Sequence, residues 1–165
     1  MREHEQQIQA QRRRNQSRRE ARFALTTIQA IRVRRQVYRQ QRYIEIRKDK
    51  NPRDVSPEFY QANEATTHRL LPWLRREIVV LFGCRIPQMQ TFVEQLLHDI
   101  ISRIREHGIQ SQNFYQFVQS HFLQYTDHFI HEFVGFASSK YNTVEHYDSH
   151  ARYYSRNDST GMYTQ

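Results

Sequence analysis

The chain has 165 residues, of which 38% are apolar, and a formal net charge of +8 at pH 7; this length matches about one domain with an extension. Its single cysteine, Cys84, excludes an internal disulfide and any zinc module built from several cysteines, so we expect a reducing compartment. No stretch approaches the ~20 consecutive apolar residues of a membrane span, and the first residues lack the apolar core of a signal peptide.

The positive charge is concentrated toward the N-terminus. Residues 1–50 contain 15 Lys and Arg against 5 Asp and Glu, a net +10, whereas residues 51–165 contain 10 against 12, a net −2. Of the 25 basic residues, 22 are arginine, whose planar guanidinium binds phosphate and carboxylate through paired hydrogen bonds. This composition predicts a polyanionic partner.

Residues 1–20 are rich in Arg and Gln and contain one strongly apolar residue after the initiator Met. Such a segment buries too little surface to offset its ordering entropy, so we predict disorder or a fraying helix there. Residues 21–50 are predicted to form a basic helix with one narrow apolar stripe that includes Leu25, Ile28 and Ile31.

Residues 51–154 are predicted to form a compact bundle of four to six helices, followed by a disordered tail at 155–165. Ser56 and Pro57 are typical of an N-cap and first helical position, and Gly83 of a C-cap. The most regular helical periodicity runs from Pro87 to His107, and no stretch alternates as a strand does. We therefore predict an all-α fold. Its core is expected to include Trp73, Leu74, Ile78, Phe92, Leu96, Ile100, Phe129 and Phe133.

The dipeptide Pro72-Trp73 opens one of these predicted helices. Proline is tolerated in the first turn of a helix or at a kink, and a neighbouring tryptophan is well suited to anchor a core. We therefore interpret the pair as part of the fold rather than as a ligand site.

Three stretches resemble a known family: SPEFYQANEATTHRLLPWLRREIVVLFG from residue 56, FLQYTDHFIHEFVGFASSKYN from residue 122, and YDSHARY from residue 147. They are similar to the central PWI-like region of the Topors family of nuclear ubiquitin and SUMO ligases. The resemblance implies a PWI-like helical bundle, a nuclear location and nuclear protein partners. It also implies binding of single- or double-stranded nucleic acid, because PWI domains bind it when a basic segment lies beside them.

The RING that defines the ligases of this family requires several cysteines. With one cysteine, this chain is expected to be an excised piece or a relative without the RING, and not to transfer ubiquitin alone. No cofactor is expected.

The basic segment is the predicted nucleic-acid interface, because arginines that neutralise phosphates give salt-sensitive affinity with little sequence preference. The candidate contacts are Arg12, Arg13, Arg14, Arg18, Arg19, Arg22, Arg32, Arg34, Arg35, Arg39, Arg42 and Arg47. Tyr38 and Tyr43 are candidates for base stacking. The alternatives are a solvated helix face, a nuclear import signal and a helix that pairs with acidic protein; a membrane-surface helix would need a larger apolar face.

Other constellations carry less information. His128 with His131, and His146 with His150, have helical spacing for metal ligands, but no third ligand is evident, so we predict no metal site. The lone Cys84 thiol beside Arg85 does not identify a nucleophile. If the bundle is a protein-docking scaffold instead, its contacts are expected at Tyr141, Tyr147 and Tyr153.

Overall fold

The computed structural model describes residues 2–83 and 89–156, and the side chains of all of these except residues 2, 3 and 23–26. The helices are α1 (Arg2–Arg39), α2 (Pro57–Ala62), α3 (Glu64–His68), α4 (Leu71–Phe82), α5 (Gln90–Glu106), α6 (Gln112–Phe122), a 3₁₀ turn (Leu123–Tyr125), α7 (Thr126–Ala137) and α8 (Val144–His150). Two short strands, β1 (Arg42–Ile44) and β2 (Tyr153–Ser155), complete the described fold. The all-α prediction is confirmed; Pro87 lies outside the described residues.

The first helix is longer than the sequence indicated. Residues 2–20, predicted as disordered or as a fraying helix, form its first half, and the side chains of residues 4–22 are exposed. Arg, Gln, Glu and Ala have high intrinsic helix propensity, which favours a helix even without a buried face. The helix ends at Arg39 rather than continuing toward residue 50. No helix within the described ranges is long and apolar enough to cross a membrane.

Among the described side chains of α1, those that pack on the bundle lie in its last part. From Ala30 onward the side chains on one face of the helix are partly or fully buried, and Val37 and Tyr38 are 5% and 3% exposed. Packing on the bundle therefore begins near residue 30, ahead of the predicted boundary at residue 51.

The predicted ends of the bundle helices are found in the structure. The Ser56 hydroxyl accepts a hydrogen bond from the Phe59 amide at 3.3 Å, and Pro57 opens α2. Gly83 ends α4 with a φ of 60°, a conformation that glycine adopts without steric cost. Residues at or next to these helix ends therefore account for where the two helices begin and end.

Trp73 lies at the centre of the core. It is 1% exposed, and its ring stacks on Phe133 and Phe136 of α7 with centroid distances of 5.5 and 5.7 Å. Pro72 occupies the first turn of α4, so the pair builds the fold, as predicted. Phe92 is a correction to the predicted core: it is 38% exposed and contacts Phe82 edge to face near one end of the bundle.

A two-stranded antiparallel ribbon joins the root of α1 to the end of the described chain. Tyr43 pairs with Tyr154, and Ile44 pairs with Tyr153. The ribbon lies close to α7 at Gly135. A Cβ atom at this position would come within 2.8 Å of Ile44 Cγ2, so the missing side chain allows the close approach. Ser155 thus belongs to a strand and not to the predicted tail, whose residues 157–165 lie outside the described part of the chain.

Candidate nucleic-acid interface

The exposed length of α1 carries most of the predicted contacts. The side chains of Arg12, Arg13, Arg14, Arg18, Arg19, Arg22, Arg32 and Arg39 on this helix are all exposed, and so are those of Arg42 and Arg47 beyond it. The helix has 38 residues, and at 1.5 Å per residue it is about 57 Å long. It thus presents a long positively charged rod.

Helical periodicity aligns several of these arginines. Arg14, Arg18 and Arg22 recur every four residues, while Arg18, Arg32 and Arg39 recur at multiples of seven. Both spacings return to roughly the same face of a helix. This face is opposite the one through which α1 packs on the bundle, so it stays in solvent where the helix is anchored.

Arg34 is the exception, and its assignment to the interface is corrected. Its side chain is 4% exposed and forms ion pairs with Glu77 of α4 and Glu132 of α7, the latter at 3.0 Å. It also donates to the Tyr153 hydroxyl of β2 at 2.8 Å. The neighbouring Arg35 is half-buried. Arg34 therefore attaches the helix to three parts of the bundle and cannot contact a phosphate.

The buried cluster of Arg34, Glu77 and Glu132 brings opposite charges together where water is excluded. Burial disfavours the charged guanidinium of Arg34, but Glu77 together with Tyr38, Tyr153 and Glu132 outweighs this effect, and the pKa of Arg34 is raised. Burial raises the pKa of Glu132 to about 7, although Arg34 and the Ile44 amide act to lower it. Arg34 therefore remains charged, while the Glu132 carboxylate is protonated more readily than that of an exposed glutamate.

Strand β1 is anchored on α7 by side chains that bind its backbone. His128 Nε2 donates to the Arg42 carbonyl and His131 Nε2 to the Ile44 carbonyl, both at 2.7 Å. The Ile44 amide donates to Glu132 Oε2 at 2.8 Å. Because every other residue of a strand directs its backbone groups to the same edge, this edge binds α7 while the other edge pairs with β2. The root of α1 is thereby held rigidly.

Comparison with known proteins agrees with this architecture. The family model of the Topors PWI-like domain matches residues 58–139. The chain carries a Topors PWI-like domain and belongs to the Topors family. The proteins named E3 ubiquitin-protein ligase Topors from Mus musculus and Homo sapiens are each 42% identical to it over 101 residues, 61% of this chain and 9% of theirs. The Drosophila melanogaster protein of that name is 32% identical over 104 residues, 63% of this chain and 10% of its own.

The matched region thus spans no more than about a tenth of the length of these Topors relatives. No solved structure matches the chain. The match to the Topors PWI-like model begins at residue 58, whereas the packed structure begins near residue 30. In this chain the root of α1 and strand β1 of the ribbon thus pack on the matched region although they lie outside it.

The predicted stacking residues lie beneath the surface of this domain. Tyr38 is 3% exposed and donates to Glu77, and Tyr43 is 9% exposed and stacks on His128 with a centroid distance of 4.1 Å. The exposed aromatic residue of the region is Tyr154, at 41%, which sequence reasoning missed. No sequence signal marked it, because β2 has only three residues and RYYSR at 152–156 does not alternate between apolar and polar residues.

The structure also bears on the candidate metal site, the cysteine and the docking tyrosines. Within the described ranges, no group of three or more His, Cys, Asp or Glu side chains is arranged to hold a metal ion. His128 and His131 bind backbone carbonyls instead, and Cys84 and Arg85 lie outside the described residues. Of the predicted docking tyrosines, Tyr147 is 7% exposed and belongs to the core, while Tyr141 and Tyr153 are half-buried.

Lowering the pH toward 5 is expected to remove a contribution of His128 to the stability of the domain. Burial lowers the pKa of His128 to about 4, and the charges of Arg34 and His131 act in the same direction, against the Arg42 carbonyl and Glu77. An unfolded histidine titrates near 6.5, so between about pH 6.5 and 4 the unfolded chain binds a proton that the folded chain does not. The contribution of His128 to the free energy of unfolding is therefore fully present above pH 6.5 and is lost as the pH falls toward 4.

Glu132 acts with the opposite sign, since its folded pKa of about 7 exceeds the ordinary 4.5 and its contribution is lost as the pH rises through this range. Comparison with a His128→Gln variant separates the two effects. Between pH 7 and pH 5 the urea midpoint of the native chain should decrease relative to that of the variant, whatever the shared contribution of Glu132. Parallel curves would contradict the assignment to His128.

Proposed function

We propose that this Topors PWI-like domain is a nuclear module that binds DNA or RNA through the exposed arginine face of α1. In this proposal it localises a Topors-type ligase to chromatin or RNA. The observation that carries it is the rigid mounting of a basic helix whose arginines project into solvent on the side opposite the packed face. The relatives are named E3 ubiquitin-protein ligases; this domain would supply their placement rather than the transfer step.

The chemistry of such an interface is electrostatic. Arginines that neutralise phosphates release condensed counterions, so affinity falls steeply with salt and depends little on sequence. A helix of about 57 Å with arginines recurring along one face follows the nucleic-acid backbone over many phosphates. The anchored root matters because a helix held in place loses less conformational freedom on binding than a free tail does.

The test is a salt-titrated binding curve for a triple variant in which Arg14, Arg18 and Arg32 become glutamine. Each lost phosphate contact reduces the slope of log affinity against log salt by about 0.9 for duplex DNA. We therefore expect a slope smaller by about 2.7 and an affinity lower by roughly 500-fold at 0.1 M salt.

A matched control removes the same net charge elsewhere, by changing Lys50, Arg75 and Lys140, all exposed, to glutamine. This control should retain the slope and most of the affinity. Equal loss in both variants would indicate a net-charge effect and would remove α1 from its proposed role. Absence of binding by the native chain to DNA and RNA at low salt would refute the proposed function and favour the protein-docking alternative.

A further inference from the structure

The outer face of the ribbon combines basic and aromatic side chains. Along residues 152–156 exposure alternates: Arg152, Tyr154 and Arg156 are exposed, whereas Tyr153 and Ser155 between them are half-buried. The inner side is used by the fold, since Tyr153 binds Arg34. The outer side leaves an aromatic ring between two arginines without a packing role for its exposed surface.

The exposed ring of Tyr154 packs beside other aromatic side chains of the domain. Tyr154 lies across the ladder from Tyr43, with ring centroids 6.1 Å apart at an angle of 31°. Tyr43 in turn stacks on His128 of α7, with centroids 4.1 Å apart. The Arg156 guanidinium lies 5.3 Å from the Tyr43 centroid and also donates to its hydroxyl. A ring held in this way loses little freedom when a flat ligand stacks on it.

The ribbon that carries this face follows the basic helix directly in the chain. α1 ends at Arg39, and β1 begins three residues later at the exposed Arg42. Arg42 pairs with Ser155 and not with Tyr154, so this positive charge lies on the other face of the ribbon, and the charge of the Tyr154 face comes from Arg152 and Arg156. Glu45, exposed and bonded through its amide to the Arg152 carbonyl, is the acidic group beside this face and moderates its charge.

We propose that this face selects single-stranded nucleic acid, with an unpaired base stacked on Tyr154 and flanking phosphates bound by Arg152 and Arg156. The inference rests on the proposed function and names its substrate class. An unpaired base offers its flat surface to an aromatic side chain, whereas a duplex keeps its bases stacked on one another. The arginines of α1 bind the backbone of either form, so the discrimination comes from the ribbon.

The experiment compares Tyr154→Leu with Tyr154→Phe by fluorescence anisotropy on three probes of equal length: a single strand, a duplex, and an abasic single strand that keeps the phosphates. Base–aromatic stacking predicts that Tyr154→Leu loses about 5- to 150-fold in affinity for the single strand. Binding to the duplex and the abasic strand should stay within about twofold of the native chain, because neither presents an unstacked base. Tyr154→Phe should keep the native affinity, since it retains the ring.

Further variants test the charges of the same face. Arg152→Gln with Arg156→Gln should reduce the salt slope for the single strand by about 1.4, or about 0.7 for each phosphate contact, and Glu45→Gln should raise the affinity. Thermal melts show whether each variant is folded.

The possible outcomes are distinct. Unchanged single-strand binding by folded Tyr154→Leu, or equal losses on all three probes, would overturn this inference and leave the proposed function of α1 standing. If the native chain binds none of the probes, the proposed function fails, and this inference fails with it.

Discussion

Replacing Arg34 by methionine is expected to lower the free energy of unfolding by roughly 3–5 kcal/mol, because removal of one partner leaves buried carboxylates without their counter-charge. Glu77 is 0% exposed and Glu132 is 1% exposed. The second oxygen of Glu77 lies 3.5 Å from Nε of Arg76, so one cation remains nearby. Protonation of Glu132, whose pKa is already raised, relieves part of the loss but leaves Glu77 buried.

The matched control is Arg32→Met, the same substitution two residues earlier on the exposed side of α1. Substitutions at exposed positions usually change stability by no more than about 0.5 kcal/mol. Urea unfolding followed by circular dichroism compares the two variants. Arg34→Lys should also be destabilised, because one ammonium cannot reproduce the forked contacts to Glu77, Glu132 and Tyr153. Similar stabilities for Arg34→Met and Arg32→Met would show that the cluster is dispensable.

A chain that begins at Asn51 is expected to lose the cooperative fold, although it retains the whole region matched by the family model. The deletion removes the buried Val37, Tyr38 and Ile44 together with Arg34. Burial of three large apolar side chains contributes roughly 5–9 kcal/mol in total, which is comparable to the whole net stability of a domain at about 5–15 kcal/mol. It also leaves the core side of α4 and the β1-facing side of α7 exposed to water.

A chain that begins at Phe23 is the control for this deletion. It lacks the exposed first half of α1 but keeps the packed root, so its thermal midpoint should lie close to that of the full chain. Near-ultraviolet circular dichroism reports the packing of Trp73 against Phe133 and Phe136 in each chain. A cooperative transition at the native midpoint in the chain from Asn51 would contradict this account. The shorter deletion is also the suitable one for binding studies, because it separates loss of arginines from loss of folding.

Much of this protein was determined by local sequence. Ser56 and Pro57 start α2, Gly83 ends α4, and Pro72-Trp73 places the core anchor, because helix periodicity and capping depend on neighbours a few residues away. The concentration of arginine in the first fifty residues follows from composition alone, and the stretches around Trp73 and Phe129 predicted the Topors PWI-like family.

Only the tertiary structure separated Arg34 from Arg32, since both belong to the same arginine-rich stretch of α1. The partners of Arg34 are Glu77 and Glu132, which are 43 and 98 residues away. In the same way, Tyr43 and Tyr154 are brought together by strands too short to show an alternating pattern. Whether an arginine or a tyrosine faces water depends on what packs against it, and distant segments of the chain decide that. The sequence thus determined the fold class and the charge, and long-range packing decided which charged and aromatic residues are available for binding.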